Sequence, residues 1–178
     1  MTLDELNRAD RARFVAVLGG IFEHSPWVAQ RAFEAKPFAD LPALHGAMVE
    51  AMRNARRDEK LALIRAHPEL AGRAMVRNEL TPDSTSEQAG AGLTQCSPDE
   101  YARLVDLNAR YNAKFGFPFI LAVKGFDRAG VIGEFARRVE HDVDEEFEEA
   151  LRQVARIAQL RLDAMLSACA QSSNGSPT

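Results

Sequence analysis

From Asp144 to Ala170 the apolar side chains recur every three or four residues, at Phe147, Leu151, Val154, Ile157, Ala158, Leu162, Met165 and Leu166. That spacing lines one face of an α-helix; a strand would alternate by two. A long helix wetted on one side needs other helices to cover its apolar stripe, which commits the chain to helix-on-helix packing. Its first turns carry Asp144, Glu145, Glu146, Glu148 and Glu149. They read as a solvated acidic start, favoured by the positive end of the helix dipole.

The same periodicity runs through the rest of the chain. Phe14, Val15, Val17, Leu18, Ile21 and Phe22 share a face, with Gly19 and Gly20 as a helix end or a point of close packing. Ser25 and Pro26 read as the cap and first residue of a short helix. Asp40 caps a helix that turns Leu44, Met48 and Met52 inward, and Asp58 caps another that ends at His67, because Pro68 disfavours helical geometry there. The pattern weakens from Ala71 to Asp83. Ser97-Pro98-Asp99-Glu100 carries a capping box with proline in the first turn, and Gly116 is the matching stop. Phe117 to Val123 is apolar, short and broken by Pro118, so it reads as a buried loop, with a strand as the alternative. Asp127 opens a helix through Val139. The whole is an all-α, single compact domain of about seven to nine helices over residues 1–178, with a core at roughly 8–168, irregular connections around 68–84 and 115–126, and a frayed tail at 171–178.

A chain of 178 residues can bury a core without staples, and 46% hydrophobic with 27% charged residues is an ordinary globular balance. The net charge of −4, with basic residues scattered among acidic ones, argues against nucleic acid as a partner. No apolar run approaches the roughly 20 residues of a membrane span. No signal peptide or peroxisomal tail is visible, which points to the cytoplasm. Cys96 and Cys169 read as free thiols of a reducing compartment.

Nucleotide-binding glycine loops are missing. No two of the four histidines are closer than 21 residues, and there is no Cys-x-x-Cys, so a dedicated zinc site is not expected. Asp142, Asp144 and Glu146 imitate a calcium loop, but Phe147 stands where its sharp turn needs glycine. His67 is placed differently. A histidine at a helix end beside a loop can be aimed into a cleft and can move protons near neutrality, although a lone histidine also serves structure. Ser84 to Gln88 gathers hydroxyls, an amide and a carboxylate near Gly90 and Gly92; the bland reading makes Ser84 an N-cap with Glu87 reaching back to it. The aromatic run Tyr111 to Gly125 fills core, and its irregular part can offer backbone groups to a ligand. Arg161, amid apolar neighbours, either snorkels outward or pairs with a carboxylate.

Four segments together closely resemble one family, the 2-oxo-4-hydroxy-4-carboxy-5-ureidoimidazoline (OHCU) decarboxylases. They are Phe22-Glu23-His24-Ser25-Pro26-Trp27, His67-Pro68-Glu69-Leu70, Leu80-Thr81 followed by Ser84-x-x-Glu87-Gln88, and Lys114-Phe115-Gly116-Phe117-Pro118-Phe119. The resemblance covers roughly residues 8–168. It implies an all-helical homodimer acting on a small ureidoimidazoline, with no metal or organic cofactor, in urate breakdown to S-allantoin. It implies His67 and Glu87 as the catalytic residues, with His67 as acid/base. Glu87 and Gln88 would engage the ureido or ring groups, and Ser84 and Pro68 would line the site. The backbone of Phe119, Ile120, Leu121, Ala122 and Val123 would bind the ring, and Arg161 would hold the substrate. A related lyase or hydrolase on another ureido or imidazole carboxylate, a helical protein-docking module, and a purely structural helical domain stay open as alternatives on the sequence.

Overall fold

The computed structural model describes residues 2–70 and 80–172, with side chains through residue 167. Among these residues the chain forms nine α-helices, two short 3-10 turns and no strand, in keeping with the all-α expectation. Most of the weakly patterned stretch from Ala71 to Asp83, and the end of the polar tail, lie outside the described residues. No described helix is long and apolar enough to cross a membrane. The chain groups into two compact units, Met1–Leu63 with Ala155–Thr178, and Ile64–Val154.

The first unit holds α1 (Leu3–Arg8), α2 (Arg11–Leu18), α3 (Trp27–Ala32), α4 (Leu41–Arg53), most of α5 (Arg57–Arg65) and the later part of α9 (Val143–Ser172). Helix α1 was not expected. Six residues with one buried side chain, Leu6, show no periodicity, and its stability comes from a capping box between Thr2 and Glu5. In α2 Phe14 and Leu18 are buried, whereas Ile21 and Phe22 reach the core from the turn beyond it. Gly19 both ends α2 and permits close approach, because a Cβ there would lie 2.6 Å from the Val15 carbonyl and 3.2 Å from Pro26 Cβ. Helix α3 packs on α2 and α4. It starts at Trp27, with Pro26 at the cap position and no side-chain cap, so the expected Ser25 cap is displaced; Ser25 is buried instead. Asp40 caps α4 through the Ala43 amide at 2.8 Å, and Leu44, Met48 and Met52 are buried as predicted. Asp58 lies inside the first turn of α5 and binds Arg56 rather than capping.

The second unit holds the end of α5, then α6 (Pro82–Gly90), α7 (Pro98–Phe115), α8 (Arg128–Arg138) and the start of α9. Ser97 and Glu100 form the predicted reciprocal cap of α7, and Gly116 ends that helix at φ +72°, a conformation favourable to glycine. Asp127 caps α8, which packs on α7. Between them Phe117 to Val123 runs as neither helix nor strand. Its aromatic side chains enter a cluster with Tyr111, Phe135 and Phe147, in which the Phe119 and Phe135 rings stack at 3.9 Å. Each large apolar side chain buried in this way contributes roughly 2–3 kcal/mol.

The acidic start of α9 departs from expectation. Glu146 is not part of a solvated helix start; it is fully buried beside the equally buried Arg138. Arg138 donates to it through Nε at 3.0 Å and Nη2 at 2.5 Å, Tyr111 donates its hydroxyl at 2.5 Å, and His141 Nδ1 lies at 2.7 Å. Burial first, and then the Glu146 carboxylate, push the Tyr111 hydroxyl far above its ordinary ionisation range. Cys96 is a free thiol, also pushed up by burial and by Glu100.

Candidate active site

Helix α5 stops where Pro68 requires it to. The His67 amide donates to the Ile64 carbonyl at 3.1 Å, closing a last turn, and the chain then leaves helical geometry. Of the four histidines His67 alone is buried, at 6% exposure. The segment that follows is pinned from two helices. Gln88 Nε2 of α6 donates to the Glu69 carbonyl at 3.3 Å. From α7, Asn112 Nδ2 donates to the Glu69 carboxylate at 2.5 Å and Asn108 Nδ2 to the Leu70 carbonyl at 3.0 Å. Arg65 Nε donates to the Gly116 carbonyl at 2.9 Å, which ties the end of α5 to the head of the irregular aromatic segment. These bonds fix the backbone that follows the buried His67.

Helix α6 supplies the polar group beside that turn. Thr81, not Ser84, is its N-cap: the Ser84 amide donates to Thr81 Oγ1 at 3.3 Å, and Pro82 is the first helical residue. The capping reading of Ser84 with Glu87 is therefore overturned, because Ser84 is already the third residue of the helix. Ser84 and Gln88, four apart, share the buried face, and Glu87 beside them is half-buried.

All five residues from Phe119 to Val123 are buried. Three of their backbone groups are engaged. Arg138 Nη1 donates to the Ile120 carbonyl at 2.7 Å, the Ala122 amide donates to Gln153 Oε1 at 3.0 Å, and the Phe126 amide donates to the Val123 carbonyl at 2.9 Å. The Arg138 guanidinium also lies 4.5 Å over the Phe119 ring.

His67, Pro68, Ser84, Glu87, Gln88 and Phe119 to Val123 thus all belong to the second unit, and Gln88 joins the His67 turn to α6 directly. Arg161 belongs to the first unit. It does not snorkel: it is 7% exposed and its Nη1 donates to the Glu23 carboxylate at 2.7 Å. Sequence reasoning missed Asn108, Asn112, Glu69 and Glu23 as supports. The signal for the asparagines was present, since Asn108 falls in phase with Leu104, Tyr111 and Phe115 on the buried face of α7 and half-buried Asn112 stands one turn further along.

Among the described residues no three His, Cys, Asp or Glu side chains converge as metal ligands would. A cleft of about 390 Å³ in the second unit is lined by none of the expected site residues; Gly92, Phe126 and Arg128 line it, and Arg128 is tied to Glu100, another lining residue, at 3.3 Å.

A buried histidine, a carboxylate and an amide on an adjoining helix, and an irregular apolar segment form a set suited to orienting a small polar ring and moving protons on it. Residues 7–163 match the model of the OHCU decarboxylase family. A 2-oxo-4-hydroxy-4-carboxy-5-ureidoimidazoline decarboxylase of Haloferax volcanii is 43% identical over 91% of this chain and 94% of its own length. A uric acid degradation bifunctional protein of Bacillus subtilis is 39% identical over 90% of this chain, which corresponds to 32% of that protein. The crystal structure of an (S)-allantoin synthase superposes with a TM-score of 0.76 at 30% identity, over 92% of this chain and 54% of that one. With the match running almost from end to end and the helical architecture shared, the chain belongs to the OHCU decarboxylase family.

Proposed function

We propose that this chain decarboxylates 2-oxo-4-hydroxy-4-carboxy-5-ureidoimidazoline to (S)-allantoin and CO2, a step of urate degradation, without a cofactor. The observation that carries the reading is His67, the one buried histidine, held on a turn that Gln88, Asn108 and Asn112 fix. The family match over residues 7–163 spans both compact units, which supports their working as one domain. The protein acts as a cytoplasmic homodimer in this reading, and a solution mass measurement tests the dimer.

The chemistry suits the inventory. Decarboxylation needs a sink for the electron pair that CO2 leaves behind, and many enzymes borrow one from a cofactor. This substrate contains its own. The carboxylate sits on a carbon that bears a hydroxyl, next to a ring C=N. As the C–C bond breaks, the bonding pair forms a C=C bond to the ureido-bearing carbon, and the C=N pair moves onto nitrogen and takes a proton. The hydroxyl then loses its proton as it becomes a carbonyl, while the ureido-bearing carbon gains one on a single face. His67 draws on the hydroxyl and takes part in the proton return. Glu87 and Gln88 orient the ureido arm, Ser84 and Pro68 line the site, and backbone of the Phe119 to Val123 segment holds the ring. Arg161 binds the carboxylate.

The test is an assay in which urate is converted in place by its oxidase and hydrolase, this protein is added, and allantoin chirality is followed by circular dichroism. One enantiomer should appear rapidly, and His67→Asn should lower turnover at least about a hundredfold with the fold intact. Racemic product at the spontaneous rate would remove this substrate.

A further inference from the structure

Glu23 stands in the Phe22 to Trp27 motif, between α2 and α3. Glu23 is 2% exposed and Arg161 is 7% exposed, so their 2.7 Å contact is a charge pair almost wholly removed from water. The turn that carries Glu23 is tightly constructed. The Ser25 amide closes on the Phe22 carbonyl at 2.9 Å, and Gly19 lets Pro26 approach. His24, immediately after Glu23, has φ +47° and is the one non-glycine residue among those described with a positive φ. Such a conformation disfavours an L-residue by roughly 1–2 kcal/mol, and it persists where the surroundings require it.

We infer that Glu23 is a positioning residue that tempers the charge of Arg161, so that the substrate carboxylate is oriented without being held too well. The inference rests on the reading that Arg161 binds that carboxylate. A guanidinium carries five N–H donors in a planar fork and can serve two carboxylates at once. An arginine with no counter-charge in a site poor in water would bind the substrate carboxylate strongly. That carboxylate charge departs from its oxygens during the reaction, because CO2 leaves neutral and the pair moves into the ring. Binding energy present in the ground state and lost in the transition state raises the barrier. A paired arginine supplies geometry with little net charge, so less is lost as CO2 forms.

The experiment is a charge ladder on the full chain, with steady-state kinetics on substrate generated from urate and denaturation curves alongside. Glu23→Gln keeps the shape and an acceptor for Arg161 but leaves the pair net positive. It should lower KM and kcat together, each about tenfold. Arg161→Gln leaves the pair net negative and should raise KM most. The double variant is neutral and should fall between wild type and Arg161→Gln in KM, with kcat below wild type because Arg161 no longer orients the carboxylate; it also serves if Glu23→Gln alone does not fold. A KM for Glu23→Gln that rises or stays put overturns the tempering role while leaving Arg161 as the carboxylate holder. An unchanged KM in Arg161→Gln overturns the reading beneath it.

Discussion

Each unit of the chain buries an arginine against a glutamate, and the two pairs are made differently. In the second unit Arg138 meets Glu146 through two nitrogens, sends a third to the Ile120 carbonyl and lies against the Phe119 ring, while Tyr111 and His141 bind the same carboxylate. Both charges are 0% exposed, Arg138 beside the Phe119 ring and Glu146 at the Tyr111 hydroxyl. In the first unit Arg161 Nη1 meets Glu23 at 2.7 Å, and Glu23 stands on a turn that contains a left-handed histidine. A carboxylate bound on every side belongs to the framework, and this one fixes the backbone segment that the proposed substrate would meet. The Arg161–Glu23 pair instead sits on a constrained turn, where the proposed substrate carboxylate would join it.

The contrast is tested first where the effect is greatest. Arg138→Leu strands a buried carboxylate and should destabilise the fold by about 3–5 kcal/mol in urea denaturation, whereas replacing both Arg138 and Glu146 with apolar residues should restore most of that loss. Tyr111→Phe removes one hydrogen bond to a charged group. It should reduce stability by about 1.5–3 kcal/mol and leave kcat near wild type. The raised Tyr111 ionisation carries a pH signature. The phenol stays protonated in the fold but ionises near its ordinary value of 10.0 in the unfolded chain. Its contribution is therefore complete below pH 10 and falls as pH rises further, by up to about 1.4 kcal/mol per pH unit; Tyr111→Phe should flatten that decline. Glu23→Gln removes the buried counter-charge of Arg161 but keeps shape and an acceptor, so its loss of stability should stay well below that of Arg138→Leu, at about 1–3 kcal/mol. A large loss there, with kinetics to match, would make the first pair a second piece of framework.

The two pairs also mark where sequence reading succeeds and stops. Caps and stops are local chemistry, so Asp40, Asp127, Ser97 with Glu100, and Gly116 could be assigned from a few neighbouring residues. The same logic erred by a few positions where two candidates compete: Thr81 and Ser84 both can cap, and Pro82 decides for Thr81 because proline suits the first helical position. Glu146 was misread because it lies in an acidic run. Its phase was the available signal, since it precedes Phe147 on the same core-facing sector that carries Ala150 and Leu151. A charged residue in that phase implies a buried partner, but Arg138 and Tyr111 are named only by the fold. His67 and its motif were visible, whereas the asparagines that hold its turn act across 38 and 43 residues of chain.

The division into two units has an optical consequence. The single tryptophan, Trp27, lies in the first unit under the Arg31 guanidinium, 4.5 Å from its ring, and both tyrosines, Tyr101 and Tyr111, lie in the second. Emission excited at the red edge of indole absorption therefore reports one unit without labelling, and tyrosine absorbance reports the other. Melting curves from the two signals that coincide would establish a single cooperative body; curves that separate would give each unit its own stability, and would show which of the two charge pairs yields first.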